Sequence, residues 1–382
     1  MTGSGEVVIV GGGVVGLSVA YALSIRGLVC TVLDRRELGR EASWAGAGLI
    51  PPLSEFGPPS AVHPTVQLRA WSAELFPRWS EELRNETGID NGYRRTGGVD
   101  VAVTEEEEQA LRTAAGRWRG EGIACERLAE PDVARVEPAL KPGLRLAYFL
   151  PDRAQVRNPR HLRALMAAVA NRGGKLRPWH AVDRIDTRGD RVTAIRTPAG
   201  DLPCEWVVIA AGAWSGRILG ELGVDAPTPP LKGQIVLLRH ERPLLRRIIE
   251  HGKNYLVPRE DGRILVGATE EDAGFDSRPT SRGTRDLLDW ALRLCPVLEE
   301  AEVEKTWAGL RPGSLDTRPY IGLAPGFSNL VVATGHKRAG LQLSPATAEL
   351  VADLILGRTP RIDLEHFRIG REPAAADDVF RS

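Results

Sequence analysis

The sequence feature that most restricts the fold lies at residues 7–20, VVIVGGGVVGLSVA. Four apolar residues typical of a buried strand lead without a gap into a GxGxxG pattern that begins at Gly11, and an apolar segment with helical character follows. Such glycines permit a tight turn, close approach of the backbone to a pyrophosphate, and close packing of helix on strand. A second apolar stretch, residues 28–33, ends at Asp34, where an acidic side chain can bind ribose hydroxyls. The N-terminal segment therefore predicts a dinucleotide-binding unit.

Composition restricts the class of protein further. A chain of 382 residues exceeds one ordinary core, so we expect two domains. Lys+Arg and Asp+Glu are both 50, so neither a nucleic acid nor an acidic membrane surface is an expected partner. No apolar run reaches the ~20 residues of a membrane span and no signal peptide is visible, so we expect a cytoplasmic protein. The 4 cysteines and 7 histidines lack metal-ligand spacing, and we expect neither a metal site nor disulfides.

Helical patterns recur along the chain. Residues 64–86 have an apolar stripe of helical period, which Pro77 should kink or divide. Thr104 begins a capping-box pattern for a helix that extends to about residue 119. Asn158 followed by proline predicts a second helix start, and Ser344 followed by proline predicts the start of the last helix.

Strand patterns suggest two different sheets. Residues 204–214 form a buried strand that runs into small residues, which resembles a second crossing of the dinucleotide-binding sheet. A proline-rich linker at residues 227–230 marks a change in the sequence pattern. Short β segments separated by turns follow it, at residues 233–238, 254–258 and 263–268. These segments predict an antiparallel sheet.

A stretch of small residues, 42–50, allows the backbone to lie flat against another surface. That surface is either a packed neighbour or a planar ligand, and from the residues alone packing is the favoured interpretation.

Five motifs in order give the chain a resemblance to the FAD-dependent D-amino-acid-oxidase superfamily, nearest to glycine oxidases of the thiamine-pathway type. Besides the glycine motif, they are residues 42–50, 206–214, 307–313 with 319–322 after it, and 335–340. The likeness extends from residue 7 to about residue 368. It implies an α/β fold, with a Rossmann-like FAD-binding domain and an inserted α+β substrate domain built on an antiparallel sheet.

The resemblance also implies that each domain is assembled from separate segments. The FAD domain would comprise residues 1–85, 147–226 and 318–370, and the substrate domain residues 86–146 and 227–317, with 371–382 as a flexible tail. In this arrangement residues 42–49 lie along the flavin, so the ligand interpretation of this stretch replaces the packing one.

FAD is the cofactor that the resemblance implies, held non-covalently because no cysteine lies near residues 335–340. The cofactor-binding residues carried over are Gly11, Gly13, Val14, Val15, Gly16, Asp34, Arg35, Ala42, Ser43, Ala47, Gly48, Leu49, Val182, Ala211, Gly212, Trp214, His336, Lys337, Arg338, Ala339, Gly340 and Leu341. Residues 335–340 would bring backbone N–H groups to the pyrimidine end of the flavin, where negative charge accumulates on reduction.

Three side chains match the family's substrate site. Arg311 matches the carboxylate-binding arginine, for which a planar guanidinium is well suited, and Tyr255 matches a tyrosine that hydrogen-bonds the same carboxylate. Arg338 matches an arginine near the flavin, with a structural ion pair as its alternative role. The glycine-oxidase pattern has a histidine two residues before the tyrosine; this chain has Lys253 there, with His251 two residues earlier.

The expected activity is oxidation of glycine or another small amino acid to the oxoacid (glyoxylate), ammonia and hydrogen peroxide, with oxygen as acceptor. Sarcosine, proline, a larger D-amino acid or a quinone acceptor stay open, as does a homo-oligomer. An NAD(P)-linked dehydrogenase would share Gly11 and Asp34 but would not need residues 42–49 or 335–340. A non-catalytic flavin-binding module would not need Arg311 and Tyr255.

Overall fold

The computed structural model describes residues 6–54 and 63–373. No helix within these ranges is long and apolar enough to cross a membrane. The four cysteines are free thiols; Cys30 and Cys295 are buried, and the other two are half-buried. The predicted flexible tail falls mainly on residues 374–382, which lie outside the described part of the chain.

Helices and strands alternate from β1 to β6, and runs of consecutive strands follow. The helices are α1 (Val14–Ser24), α2 (Ala42–Ala45), α3 (Pro64–Thr87), α4 (Glu105–Gly120), α5 (Glu130–Val136), α6 (Asn158–Asn171), α7 (Ser215–Gly220), α8 (Ser281–Leu294) and α9 (Gly340–Ile355). The strands are β1 (Val7–Val10), β2 (Cys30–Leu33), β3 (Leu49–Ile50), β4 (Gly98–Ala102), β5 (Glu126–Arg127), β6 (Leu146–Leu150), β7 (Ala154–Gln155), β8 (Lys175–Arg177), β9 (Arg184–Arg188), β10 (Arg191–Thr197), β11 (Gly200–Pro203), β12 (Trp206–Ile209), β13 (Pro230–Arg239), β14 (Ile248–His251), β15 (Asn254–Pro258), β16 (Arg263–Gly267), β17 (Glu302–Pro312), β18 (Tyr320–Leu323) and β19 (Leu330–Thr334).

The first large sheet has six strands in the order β18-β19-β12-β1-β2-β8 and is parallel except for β18. All four residues of β1 are buried, because helices cover one face of the sheet and the β9–β11 sheet with α7 covers the other. Val8 pairs with Val207 of β12, so the predicted second crossing of the same sheet is confirmed.

The second large sheet has eight strands in the order β17-β13-β16-β15-β14-β4-β6-β5, and its pairs are antiparallel except β14 with β4. One face packs against α8 through Leu287, Trp290 and Leu294. The opposite face is turned toward the small-residue stretch, where Ala47 packs with Ile235. The predicted combination of a parallel Rossmann-like sheet and an antiparallel α+β unit is confirmed.

Of three details of the helices, one agrees with the sequence expectations and two differ from them. Helix α3 is one continuous helix with Pro77 inside it, so the proline does not divide it. Thr104 caps α4 as predicted, with both bonds of the capping box present. Asn158 is the first residue of α6, not its cap; its side-chain amide instead donates to the Ser43 carbonyl at 2.7 Å.

The predicted start of the last helix at Ser344 is wrong, because α9 begins at Gly340 and contains Pro345. Proline cannot donate the N–H that the carbonyl four residues earlier would accept. Here the Ser344 hydroxyl donates to that carbonyl, on Leu341, at 3.0 Å. The helix therefore continues through the proline without losing this hydrogen bond.

Candidate active site

A groove runs along the carboxyl ends of the parallel strands and is closed on its other side by the face of the eight-stranded sheet. Its volume of about 410 Å³ lies in the usual range of ligand pockets, roughly 300–1,000 Å³. The predicted site residues that line it are Gly11, Gly13, Val14, Val15, Asp34, Arg35, Ala42, Ser43, Ala47, Gly48, Leu49, Val182, Ala211, Gly212, Trp214, Tyr255, Arg311, His336, Lys337, Arg338, Gly340 and Leu341. Residues far apart in the sequence therefore meet in one groove.

Two predicted cofactor residues support the groove from behind. A Cβ at Gly16 would lie 2.0 Å from the Gly11 carbonyl oxygen, so this glycine allows α1 to pack on the turn. Ala339 is buried and precedes α9, and its N–H donates to the His336 carbonyl at 2.8 Å.

The glycine turn after β1 leaves backbone groups at the groove surface. Gly11 has a φ of 113°, which favours glycine, and a Cβ there would lie 2.3 Å from the Ala210 oxygen. Helix α1 begins at Val14, and its cap, Gly13, has no side chain that could accept a hydrogen bond from the helix N-terminus. The Val14 N–H donates to the Ser43 hydroxyl at 2.8 Å. A helix N-terminus that follows a glycine turn is suited to a phosphate.

Asp34 lies at the end of β2 with its carboxylate oriented by the backbone. One oxygen accepts the Gly12 N–H at 2.9 Å and the other accepts the Arg36 N–H at 2.9 Å. Burial raises the pKa of this carboxyl, and the two N–H groups oppose the rise. The carboxylate is thereby held at the groove wall, where hydroxyl donors can reach its remaining lone pairs.

A cation–π stack extends the groove beyond Asp34. The Arg35 guanidinium lies 3.8 Å from the centre of the Trp214 ring, and Trp214 contacts Phe275 at 5.3 Å between ring centres. Sequence reasoning selected Arg35 and Trp214 separately, but their contact was not predicted. The stack gives this end of the groove a flat aromatic wall.

Residues 42–50 line the groove and also pack on its far side. The Trp307 indole donates to the Ala45 carbonyl at 3.0 Å, and a Cβ at Gly309 would lie 2.6 Å from the Ala45 Cβ. The Arg259 guanidinium, buried, donates to the Ala47 carbonyl at 2.7 Å. The packing and ligand interpretations of this stretch are therefore compatible, because it has two faces.

Residues 336–341 place a second helix N-terminus on the groove. Lys337 has a φ of 48°, and its N–H donates to the Pro312 carbonyl at 2.7 Å, which anchors the turn before α9. His336 is buried with its Nε2 3.1 Å from the Thr347 hydroxyl, and burial lowers its pKa to about 3, so the ring is neutral. The positive end of α9 is directed at the groove.

These features fit FAD. The glycine-capped helix N-terminus at Val14 suits the pyrophosphate, and the oriented carboxylate of Asp34 suits ribose hydroxyls. The small residues beside Ala47 leave room along the groove for a ring system. Helix α9 adds a positive potential at the far end, where Gly340 lines the groove.

Arg311 and Tyr255 lie together on the eight-stranded sheet, at the far end of the groove. Two glycines make room for them: a Cβ at Gly233 would lie 2.2 Å from the Arg311 guanidinium, and one at Gly267 would lie 2.6 Å from the Tyr255 ring. The Arg311 Nη1 donates to the Thr269 carbonyl at 3.1 Å, which orients the guanidinium.

The protonation states of this pair suit a carboxylate ligand. Burial lowers the pKa of Arg311, but the nearby Tyr255 oxygen favours the charged form, and an arginine stays charged at neutral pH. Burial raises the pKa of Tyr255 above its usual value, although Arg311 and Arg338 oppose the rise. The phenol therefore keeps its proton, so a cation and a hydroxyl donor are available together.

Arg338, for which the sequence left open a place near the cofactor or an ion pair, lies in the groove and also forms an ion pair. It lines the groove, and its Nε and Nη2 donate to the Glu270 carboxylate at 2.9 Å and 2.5 Å. Although burial works against ionisation, Arg338 and the other nearby cations lower the pKa of Glu270. Arg338 is thus a groove residue held in position by an ion pair.

Lys253 stands where the glycine-oxidase pattern has a histidine, and the structure shows where this side chain lies. The exposed Lys253 side chain lines the mouth of the groove. His251 accepts a hydrogen bond from the Trp290 indole at 2.9 Å and lies 2.9 Å from the Glu107 carboxylate. Because Trp290 belongs to the α8 layer, His251 does not substitute for the histidine of the glycine-oxidase pattern.

The residues that the sequence reasoning missed include Gly233 and Glu250 in the groove lining and Gly267 behind it. Gly233 lines the groove, and Gly267 lies beneath Tyr255. Both occur inside predicted strands, where a glycine often marks close approach of another group, and this signal could have found them. Glu250 lines the groove but had no local signal, because it is one acidic residue among 50 Asp and Glu.

Comparisons with known proteins agree with this geometry. The family described as DAO, FAD-dependent oxidoreductase, matches residues 6–354. The glycine oxidase of Pseudomonas putida is 40% identical over 94% of this chain and 97% of that protein. The crystal structure of glycine oxidase from Geobacillus kaustophilus superposes with a TM-score of 0.91 at 36% identity, covering 97% of this chain and 99% of that one. The bifunctional protein ThiO/ThiG of Nostoc sp. is 33% identical over 98% of this chain and 56% of that longer protein.

The family match and the similarity to glycine oxidases, on a chain that joins a parallel sheet to an antiparallel sheet carrying Arg311, identify the class of protein as a flavin-dependent oxidoreductase. The chain belongs to the FAD-dependent oxidoreductase family DAO. The expected cofactor, FAD, and the resemblance to glycine oxidases are confirmed, and so is the inserted substrate unit of the predicted fold.

Proposed function

We propose that the protein catalyses FAD-dependent oxidative deamination of glycine or another small amino acid. For glycine, one molecule each of the amino acid, oxygen and water gives glyoxylate, ammonia and hydrogen peroxide. The observation that carries this proposal is the pairing of Arg311 with Tyr255 at the end of a groove that fits FAD. The similarity to glycine oxidases over nearly the whole chain supports it, and the ThiO/ThiG relative supports a role in thiamine biosynthesis.

The substrate end of the groove binds a carboxylate. The planar guanidinium of Arg311 donates two parallel hydrogen bonds to its oxygens, and the Tyr255 hydroxyl donates a third. Arg311 and Tyr255 lie in the space that Gly233 and Gly267 leave, and the Thr269 carbonyl orients the guanidinium, so a bound carboxylate meets donors in a defined position. The Arg338–Glu270 pair borders the same end and restricts the space for a substrate side chain.

When bound, FAD would supply the two-electron acceptor for oxidation of the Cα–N unit of the substrate. We propose that it is held non-covalently by the predicted cofactor residues, with the N-terminus of α1 at the pyrophosphate and Asp34 at the ribose. The N-terminus of α9, beginning at Gly340, places positive potential where negative charge develops on reduction.

We also propose that the two sheets mark the two domains. The FAD domain carries the six-stranded sheet and the substrate domain the eight-stranded one. Strand β6, Leu146–Leu150, pairs with β4, so we place the second boundary after Leu150 and not at 147.

The visible spectrum of the purified protein, before and after anaerobic addition of glycine, tests the function. We expect a flavin spectrum that bleaches with glycine and recovers when oxygen is admitted, with release of hydrogen peroxide. Acid precipitation should release the flavin into the supernatant, since the binding is non-covalent. Arg311→Lys is the matched variant, because it keeps the positive charge but loses the planar guanidinium that donates two parallel hydrogen bonds. This variant should bind FAD normally, and glycine should bleach its flavin slowly.

Other results would change the proposal in defined ways. Bleaching by sarcosine, proline or D-alanine but not by glycine would change the identity of the substrate and leave the type of reaction unchanged. Recovery with a quinone but not with oxygen would make the protein a dehydrogenase. A protein that contains no flavin and binds none when FAD is added would contradict the proposal.

A further inference from the structure

The buried arginines of this chain differ in what balances their charge. Arg153 contacts the Asp100 carboxylate, and Arg371 donates to the Asp316 carboxylate at 2.7 Å. Arg259 is only 7% exposed, yet it forms no ion pair with any carboxylate among the residues that the structure describes. A buried charge is costly unless it is paired, so an arginine without a carboxylate partner needs a physical explanation.

Neutral oxygens hold the Arg259 guanidinium in place. Its Nη2 donates to the Ala47 carbonyl at 2.7 Å, and its Nη1 donates to the Val156 carbonyl at 3.1 Å. The same Nη1 also donates to the side-chain carbonyl of Gln155, which is buried on β7. These acceptors satisfy N–H groups and fix the orientation of the side chain, but none of them carries a charge.

The charged groups around Arg259 leave its charge uncompensated. Burial, together with the nearby cations Arg157 and Arg160, lowers the pKa of Arg259 to about 9, so the guanidinium is still charged at neutral pH. Asp261 opposes this lowering, but its carboxylate is already paired with Arg157 at 2.7 Å and with Arg263 at 3.0 Å. The surroundings of Arg259 are therefore positive.

Arg259 lies directly behind the stretch 42–49. Ala47 and Gly48 line the groove, whereas Arg259 does not. Because the Ala47 carbonyl accepts from Arg259, the Gly48 N–H of the same trans peptide points away from the guanidinium. One peptide unit separates the charge from the groove, and a charge acts strongly over such a distance inside a protein, where water does not screen it.

We propose that Arg259 raises the reduction potential of bound FAD by holding an uncompensated positive charge behind residues 42–49. This inference rests on the proposed function, because it assumes that the flavin ring lies beside this stretch. The ring gains negative charge on reduction, so a fixed cation near it stabilises the reduced form more than the oxidised form. A flavin that is reduced more easily is a stronger oxidant for an amino acid.

Gln155→Glu tests the charge without removing the arginine. The glutamate has the size of the glutamine and would place a carboxylate oxygen where Arg259 now donates to an uncharged one. The guanidinium would keep its position while its charge is neutralised. We expect the equilibrium constant for two-electron reduction of bound FAD to fall at least about tenfold, since one charge at about 10 Å contributes this much in a protein interior. The midpoint potential would fall by about 30 mV, measured against a reference dye without amino acid.

Two variants control for effects other than the charge beside Arg259. Gln109→Glu makes the same chemical change at an exposed position on α4 and should leave the potential unaltered. Gln155→Met removes the acceptor of the Arg259 hydrogen bond without adding a negative charge, so it should not lower the potential. An equal fall of the potential in Gln155→Met and Gln155→Glu would show a structural role and would overturn the inference.

Arg259→Gln is a second, independent variant, which removes the charge itself and should lower the potential as Gln155→Glu does. An unchanged potential in either variant would overturn the inference, because the hydrogen bonds to the 42–49 stretch and not the charge would then be what matters. The measurement needs bound FAD but no substrate. If glycine does not bleach the wild-type flavin, the proposed oxidation of glycine fails, while the potentials still decide the role of Arg259 separately.

Discussion

The two ends of the groove are made in different ways. At the nucleotide end, a strand, a glycine turn and Asp34 come from one stretch of about 30 residues, and backbone N–H groups face the groove. At the substrate end, Arg311 and Tyr255 come from two strands of one sheet, and side chains face the groove. The first end depends on local backbone geometry, whereas the second depends on the register of distant strands. Mutations should therefore separate FAD binding from substrate binding.

Arg311→Ala should give the largest difference between the effect on substrate binding and the effect on FAD binding. Removing the guanidinium leaves the substrate carboxylate without its charged partner in a buried site, so we expect kcat/KM for the amino acid to fall on the order of 1,000-fold. FAD affinity should stay within about twofold of wild type, as measured by the fluorescence of released flavin. Joint loss of FAD would contradict the independence of the two ends.

Gly233→Ala tests the same end without touching a charged group. The new Cβ would lie 2.2 Å from the Arg311 guanidinium, the far end of a flexible side chain, so the protein should fold while the guanidinium moves. A misplacement of this size costs about 100-fold in kcat/KM. An unchanged kcat/KM would show that the position of the guanidinium is not restricted by this glycine.

Tyr255→Phe removes one hydroxyl donor and keeps the ring above Gly267. A hydrogen bond to a charged ligand contributes about 2 kcal/mol, so we expect KM to rise about 30-fold with the flavin spectrum unchanged. A fall in kcat with constant KM would assign the phenol to the oxidation step instead of to substrate binding.

Asp34→Asn probes the opposite end. The amide retains one acceptor where the carboxylate offers two, both of which receive backbone N–H groups. We expect the dissociation constant of FAD to rise about tenfold. The FAD-saturated variant should oxidise substrate at the wild-type rate, and a slower rate would mean that the nucleotide end also positions the reacting ring.

Gly116→Ala should have the smallest effect, and it is the control for Gly233→Ala. Gly116 lies inside α4, where an added Cβ meets no atom within 4 Å. Alanine there should raise the free energy of unfolding by about 0.5–1 kcal/mol without changing activity, measured by denaturant titration. Destabilisation would mean that α4 packs more closely than the structure shows.

Local patterns predicted most of the fold, and their failures have physical causes. The capping box at Thr104 formed because all of its groups lie within four residues. The start of α9 was misplaced because a proline usually ends or begins a helix, whereas here the Ser344 hydroxyl supplies the missing hydrogen bond. The cation–π stack of Arg35 on Trp214 and the ion pair of Arg338 with Glu270 join segments far apart in sequence, so no local pattern could indicate them.

The sequence by itself determined the dinucleotide-binding unit, the two kinds of sheet and the identity of Arg311 and Tyr255 as candidates, because contiguous patterns and family motifs carry that information. Only the tertiary structure decided that Gly233 and Gly267 make room for those two side chains. It also decided that the buried Arg259 lies behind the stretch 42–49. The reason is that strand register, and with it the face on which each side chain projects, depends on pairing between residues far apart in the chain.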